Sequence, residues 1–193
     1  MVVAHPVPES LTHSAARAAV DGLTSAGHEV AQIDLYGDGF SPAMSRAERA
    51  SYHTVEPLIT QDAIRAAELV RRAQILVFVY PTWWSDVPAI MRGFFERVFI
   101  PTVAFDLVPG ATKVRPAMQH VRHLVGISIY GSPWMYVRAI GDNGRKMITR
   151  ALRLCTGRKT HTTWLALYNV ERADAPVRRA FLERVEASMA ALS

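Results

Sequence analysis

The amino-acid sequence predicts a three-layer α/β fold, in which helices cover both faces of a five-stranded parallel sheet of order 2-1-3-4-5. Apolar runs of strand length alternate with segments whose apolar residues recur at helical spacing, and this alternation specifies a parallel sheet. Residues 75–80 and 124–130 are almost continuously apolar, as parallel strands covered on both faces are. Because no change in composition divides the chain, we expect residues 1–193 to form a single domain.

The first elements are a strand, a helix and a second strand. Residues 2–4 are apolar and stop at a His-Pro pair, which predicts a short buried strand followed by a loop. Apolar residues recur at helical spacing over residues 12–26, and Gly27 closes that helix. Residues 30–36 alternate between apolar and polar side chains, as an edge strand does. Residues 37–57 are irregular, and a segment of this length is usually functional or wraps a neighbour.

The remaining elements continue the alternation to the end of the chain. The predicted helices lie around residues 64–70, 88–99 and 144–155 and in a last segment with Val177, Phe181, Val185 and Met189 at steps of four; the predicted strands are 75–80, 124–130 and 164–168. An alternating second strand belongs at the edge of the sheet, which favours the order 2-1-3-4-5. That order places residues 5–12, 81–86 and 130–136 on one rim, where ligands of such sheets bind.

Composition limits the classes of function. The chain carries 22 lysine and arginine residues against 17 acidic ones, a formal charge of +5 that favours anionic ligands. The cations are spread over helices without a nucleic-acid-binding motif, so we expect no nucleic-acid partner. No apolar run is long enough to span a membrane, so we expect no membrane insertion. A single cysteine, Cys155, and no secretory signal favour a cytoplasmic protein, and His120 and His123 lack the further ligands that a metal site needs.

The first rim loop predicts an anion site. It joins a central strand to the beginning of a helix, where free backbone N–H groups and the helix dipole attract a phosphate. Ser10 and Thr12 add hydroxyl groups and His5 adds a third contact. The alternative interpretation is that Ser10 or Thr12 only caps the helix and His5 only packs, and the loop alone leaves both interpretations open.

The second rim loop contains two adjacent tryptophans, Trp83 and Trp84. At the end of a buried strand both cannot point inward, and an aromatic pair at a sheet rim suits a flat conjugated ligand. The alternative is that both bury against a neighbouring subunit. The two interpretations are compatible if the site lies at a dimer interface.

Two segments, His5-Pro6-x-Pro8-x-Ser10 and residues 80–99 (YPTWWSDVPAIMRGFFERVF), resemble the NAD(P)H:quinone oxidoreductase family of flavodoxin-like flavoproteins. The resemblance implies FAD or FMN as cofactor, with FAD preferred, and NAD(P)H as co-substrate. It also implies ping-pong hydride transfer through flavin N5 to a quinone-like acceptor, in a homodimer with the flavin at the interface. Azo or nitro compounds as acceptors, or a regulatory subunit that docks on a membrane transporter, remain alternatives.

The resemblance assigns roles to individual residues. The flavin phosphate loop matches His5, Ser10, Leu11 and Thr12; the loop along the isoalloxazine edge matches Pro81, Thr82, Trp83, Trp84 and Ser85; a small-residue loop on the other side of the flavin matches Ser128, Tyr130, Gly131 and Ser132. Tyr136 lies near the position of a tyrosine that lines the substrate pocket, and it is the candidate catalytic proton donor. Ile140 lies near the position of the histidine that some members pair with that tyrosine, so the resemblance does not extend to that pair.

Overall fold

A five-stranded parallel sheet of order β2-β1-β3-β6-β7 organises the computed structural model, which describes residues 1–54, 56–108, 110 and 112–193. Its strands are β1 Val2–Val3, β2 Ile33–Asp34, β3 Ile75–Thr82, β6 His123–Tyr130 and β7 His161–Leu167. Each neighbouring pair is parallel. Counted along the chain, these strands follow the order 2-1-3-4-5, so the predicted topology is confirmed.

Helices connect the strands. They are α1 Leu11–Ser25, α2 Arg46–Ser51, α3 Gln61–Arg72, α4 Ala89–Val98, α5 Trp134–Ile140, α6 Asn143–Lys146 and α7 Ala175–Ala190. A π-helical turn, Met147–Ala151, and a 3-10 turn, Leu152–Cys155, follow α6, and a second 3-10 turn, Val170–Arg172, precedes α7. A small antiparallel pair of β4 Phe105–Asp106 and β5 Arg115–Pro116 lies between α4 and β6.

Several predicted boundaries were wrong. The edge strand expected over residues 30–36 is only Ile33–Asp34, and the helix expected over residues 144–155 is broken into three different helical turns. The last helix is present, but Val177 is exposed and the buried residues begin with Phe181. The sequence prediction also missed the β4–β5 pair, whose strands are too short to show a periodic pattern.

Helices α2 and α5 are also absent from the sequence prediction, for different reasons. Ser45 accepts the N–H of Glu48 while the Glu48 carboxylate accepts the N–H of Ser45, so a capping-box signal for α2 was present in the sequence. In contrast, α5 buries only Val137. A helix whose side chains mostly face solvent has no apolar stripe, so periodicity could not reveal it.

The strand β3 shows how the core is divided between the two faces of the sheet. Leu76, Phe78 and Tyr80 belong to the core on the side of α3 and α4. Val77 and Val79 belong to the core on the side of α1 and α7. This alternation follows from the two-residue period of a strand, and it explains why the run is apolar at every position.

Two glycines allow backbones to approach closely. A Cβ atom at Gly22 of α1 would lie 2.2 Å from the Glu186 carbonyl oxygen of α7. A Cβ atom at Gly93 of α4 would lie 2.2 Å from the carbonyl oxygen of Pro42, in the irregular segment that follows β2. That segment therefore lies directly on α4, and the glycine inside this helix has a packing reason.

A buried guanidinium group fixes the same segment. Arg97 of α4 donates from Nε to Glu48 Oε1 at 2.8 Å, and from Nη1 and Nη2 to the Asp62 carboxylate at 2.7 and 2.9 Å. It also donates to the Ser41 carbonyl and to the Thr60 hydroxyl. The Arg97 side chain is 3% exposed, so one residue links α4, α2, the start of α3 and the preceding loop from inside the protein.

The charges of this cluster sustain one another. Burial opposes ionisation of Glu48, but hydrogen bonds from Ser45 and Arg97 together hold its pKa below the ordinary value. The hydrogen bonds from Arg97 lower the pKa of Asp62 far below its ordinary value, and the two carboxylates in turn raise the pKa of Arg97. All three groups are therefore charged at neutral pH, as a buried cation between two anions requires.

We expect Arg97→Ala to lower the free energy of unfolding by about 3 to 5 kcal/mol, because it leaves the buried Glu48 carboxylate without its cation. Urea denaturation measures the change. The control is Arg65→Ala, which removes an exposed ion pair with Asp38 and should change stability by no more than about 1 kcal/mol. Equal effects of the two substitutions would show that the buried cluster adds nothing to stability.

We also expect a pH dependence that Asp62 causes. The pKa of Asp62 is lower in the folded than in the unfolded protein. The contribution of Asp62 to stability is therefore complete above its unfolded pKa of about 4, and it is lost as the pH falls from there through the lowered folded pKa. Urea denaturation at several pH values below neutrality should show stability falling in this acidic range, and falling less in Asp62→Asn. Identical slopes in both proteins would contradict the assignment.

Candidate functional site

The carboxyl ends of three strands bring the predicted rim loops together. Val3 of β1 pairs with Val79 of β3, and Thr82 of β3 pairs with Tyr130 of β6, so the loops after these strands are neighbours. The His5 and Trp83 rings lie 6.0 Å apart between centroids, which joins the first two loops directly.

The beginning of α1 offers free backbone donors. Ser10 is the N-cap, and its hydroxyl oxygen accepts the N–H of His13 at 3.3 Å. Within the described residues, the N–H groups of Leu11 and Thr12 have no acceptor. A capped helix start with two unpaired N–H groups is suited to bind an anion.

His5 adds a neutral donor beside this helix start. Its Nδ1 accepts the N–H of Val7 at 3.1 Å. Burial lowers the pKa of His5, and the nearby His13 acts in the same direction more weakly. The lowered pKa favours the neutral ring, in which one nitrogen donates a hydrogen bond and the other accepts one.

The tryptophan loop is a two-residue turn, which we call the tryptophan turn and define as residues 83–86. Trp83 and Asp86 exchange backbone hydrogen bonds of 3.1 and 3.0 Å. Between them Trp84 and Ser85 have φ angles of 50° and 60°, the left-handed region that side chains other than glycine rarely adopt. Such strain persists only where the surroundings impose it, and it occurs mostly at ligand sites.

Several contacts hold the tryptophan turn from behind. The Ser85 carbonyl accepts the N–H of Asn143 at 3.2 Å, and Asp86 accepts the N–H of Val87 and a hydrogen bond from Arg92. In the part of the chain that the structure describes, the N–H groups of Trp84 and Ser85 have no acceptor. The turn therefore presents two free donors beside the fully exposed Trp84 indole.

Asp142 connects this support to the end of β6. Its Oδ1 accepts the Tyr130 hydroxyl at 3.0 Å, and Asp142 also caps α6, whose first residue contacts the tryptophan turn. The Tyr130 ring stacks on Tyr168 with centroids 4.6 Å apart. Burial raises the pKa of Tyr130, and the Asp142 carboxylate raises it further, so this hydroxyl keeps its proton and donates a hydrogen bond to Asp142.

The structure places all the predicted site residues at this rim, with different accessibility. Trp83, Trp84, Gly131 and Tyr136 are exposed; His5, Ser10, Leu11, Thr82, Ser85 and Ser132 are partly buried; Thr12, Pro81, Ser128 and Tyr130 are buried. The Ser128 hydroxyl bonds the Thr82 hydroxyl at 2.8 Å inside the protein. The side chains of Ser128 and Tyr130 thus support the rim from below, and Thr12 offers a ligand its backbone N–H.

Helix α5 forms an exposed aromatic face at the rim. Tyr136 is 58% exposed, and Trp134, Met135 and Ile140 are exposed beside it. The Arg138 guanidinium lies 5.4 Å from the centre of the Trp134 ring. Ile140 follows Tyr136 by one turn of this helix, and no histidine takes that place in the sequence.

Sequence reasoning missed the residues that support the tryptophan turn. Asp142 caps α6 and Asn143 begins it, and their contacts with Tyr130 and Ser85 depend on the fold. The only sequence feature that could have indicated the role of Arg92 is its position six residues after Asp86, at the beginning of α4. These are positioning roles, and no motif of the sequence marks them.

Among the residues that the structure describes, no helix combines the length and the hydropathy that crossing a membrane requires. The same residues contain no group of three or more histidine, cysteine, aspartate or glutamate side chains that could hold a metal ion.

Comparison with known proteins agrees with this geometry. A family model described as flavodoxin-like fold matches residues 1–191. NAD(P)H dehydrogenase (quinone) 1 from Cavia porcellus is 32% identical over 152 residues, which cover 70% of this chain and 54% of that protein. Ribosyldihydronicotinamide dehydrogenase (quinone) from Rattus norvegicus is 32% identical over 159 residues, 75% of this chain and 68% of that protein. The chain thus spans about half the length of the first of these relatives.

Solved structures share the fold. An NAD(P)H:quinone oxidoreductase from Methanothermobacter marburgensis has a TM-score of 0.80 at 23% identity, covering 98% of this chain and 93% of that chain. An FMN-dependent NADH-azoreductase from Bacillus anthracis, solved in complex with FMN, has a TM-score of 0.71 at 14% identity, covering 97% and 95%. Since the family model covers nearly the whole sequence and the relatives align over most of it, the chain belongs to the flavodoxin-like family of NAD(P)H:quinone oxidoreductases.

Proposed function

We propose that this protein is a flavin-dependent oxidoreductase that uses NAD(P)H to reduce a quinone or a similar small acceptor. One observation carries the proposal: two unpaired N–H groups in the tryptophan turn lie beside an exposed indole, on the same rim as the open start of α1. The names of the relatives support the same reaction class.

The residues of the rim fit a flavin. The N–H groups of Leu11 and Thr12 and a ring N–H of His5 would hold its phosphate, because together they form a donor set at a helix start. The N–H groups of Trp84 and Ser85 would meet the acceptor atoms at the edge of the ring system. A bound flavin supplies two-electron chemistry, since it accepts a hydride from NAD(P)H and returns it to a quinone.

The contribution of the protein is positioning. The tryptophan turn is already formed and held by Asn143 and Arg92, so its donors need no rearrangement to meet a ligand. We propose that Tyr136 holds the proton that a reduced acceptor takes up at oxygen. Its hydroxyl is exposed on α5 at the same rim and has no hydrogen-bond partner within the residues the structure describes.

We propose FAD or FMN as the flavin. The free N–H groups at the start of α1 would accept the phosphate of either one. The FMN in the solved azoreductase supports a flavin on this fold without deciding between the two. Reconstitution with each flavin, removal of the excess and mass spectrometry of the released cofactor will identify it. A protein that stays colourless with both flavins would overturn the enzyme proposal and favour a regulatory nucleotide-binding role.

We expect Trp84→Ala to lower flavin occupancy strongly and to reduce NAD(P)H–quinone turnover at least about tenfold, since base–aromatic stacking is worth about 1 to 3 kcal/mol. The indole is fully exposed, so the change should leave stability unaltered. Visible absorption of bound flavin and steady-state rates measure the effect. Trp84→Phe should retain much of the binding; unchanged occupancy and turnover in Trp84→Ala would exclude stacking on this indole.

We propose that the protein is a homodimer, with the exposed apolar side chains of α5 and the tryptophan turn in the interface. Trp84, Trp134, Met135, Tyr136 and Ile140 are large apolar side chains exposed on these two elements, and exposed apolar surface of this kind marks interaction sites. If the dimer uses this surface, Met135→Glu should sediment as a monomer with an unchanged circular dichroism spectrum. The matched control is Val177→Glu, on the exposed side of α7, which should remain dimeric. A monomeric wild-type protein would contradict the proposal.

A further inference from the structure

An open groove begins beside the tryptophan turn, and its cations Lys146 and Arg150 take no part in the contacts described so far. It has a volume of about 570 Å³ and lies between the first turn of α4 and the helical turns that follow β6. Its lining includes Asp86, Arg92, Lys146, Arg150 and Leu154. Its size is that of an ordinary small-molecule site.

The charge of this groove is unbalanced. Arg92 is paired with the Asp86 carboxylate. Lys146 and Arg150 have no carboxylate within ion-pair distance in residues 1–54, 56–108, 110 and 112–193. They lie four positions apart and line the same groove, where two like charges repel one another. A bound anion would relieve this repulsion, and arginine with lysine is a typical donor set for phosphate.

This anion site differs from the one at the start of α1. Helix α1 packs on one face of the sheet with α7, whereas α4 and the π-helical turn pack on the other face. The phosphate of the flavin proposed above would take the donors of Leu11 and Thr12. A phosphate in the groove must therefore belong to a second ligand.

The position of the groove identifies that ligand. Asp86 belongs both to the groove and to the tryptophan turn, and the groove residue Asn143 donates its N–H to the Ser85 carbonyl. A nucleotide that reaches the flavin at the turn with one end can therefore extend its other end into the groove. NADPH differs from NADH by one phosphate at its adenosine end, and arginine commonly accommodates that 2′-phosphate.

We propose that Lys146 and Arg150 bind the 2′-phosphate of NADPH and make the protein prefer NADPH to NADH. The inference rests on the proposed function, because it assigns a specificity to the co-substrate of that reaction. Two observations support this assignment: the groove contains two unpaired cations, and it begins beside the tryptophan turn.

Equilibrium binding tests the assignment without any turnover. Calorimetric titration of the wild-type protein should show that 2′,5′-ADP binds at least about tenfold more tightly than ADP. The double substitution Lys146→Ala and Arg150→Ala should remove this difference and leave the binding of ADP unchanged. The matched control is Arg145→Ala, an exposed cation of α6 that does not line the groove. Equal affinity of the wild-type protein for 2′,5′-ADP and ADP would overturn the assignment.

Steady-state kinetics with the flavin-loaded protein provides the second test. In the double variant the KM for NADPH should rise at least about tenfold, while the KM for NADH and both kcat values stay unchanged. An equal rise of both KM values would mean that the cations hold a group common to the two coenzymes, and it would overturn the assignment to the 2′-phosphate. Failure of the proposed function is distinguishable, because in that case the wild-type protein would bind no flavin and oxidise neither coenzyme.

Discussion

The buried guanidinium of Arg97 is the constraint on which the geometry of the rim depends. It lies near the carboxyl end of α4, and the amino end of the same helix begins directly after the tryptophan turn. By binding Glu48, Asp62 and the Ser41 carbonyl together, it holds the long segment after β2 against α4 and fixes that helix in place. Arg92, one turn into α4, then holds Asp86 of the turn. Because α4 is one continuous helix, the ion cluster near its carboxyl end also fixes the position of Arg92 and Asp86 at its amino end.

The candidate site is built mainly from backbone atoms. Its donors are the N–H groups at the start of α1 and in the tryptophan turn, and the side chains beneath them, such as Ser128 and Tyr130, are buried supports. A site of this kind depends on dihedral angles more than on the identity of individual side chains.

The topology was predictable from the sequence because parallel strands that are covered on both faces appear as continuous apolar runs. Residues 75–80 are apolar at every position and residues 124–130 at all but Gly126 and Ser128, since both faces of those strands are covered. The convergence of the first two rim loops followed from the strand order. The Arg97 cluster was not predictable, because its members lie up to 56 residues apart and only the fold brings them together. Asp142 likewise has its role through Tyr130, whose orientation a sequence does not show.

The left-handed turn at Trp84 and Ser85 has a consequence for the thermodynamics of recognition. A loop that becomes ordered around its ligand loses conformational entropy, on the order of 1 to 2 kcal/mol for each residue that is immobilised. Here the Ser85 carbonyl and the Asp86 carboxylate already accept hydrogen bonds within the protein. The conformational entropy of the turn is therefore lost when the chain folds and not when the ligand binds. Ligand binding at the turn should therefore show a small entropy penalty for its size, with affinity set by the contacts themselves.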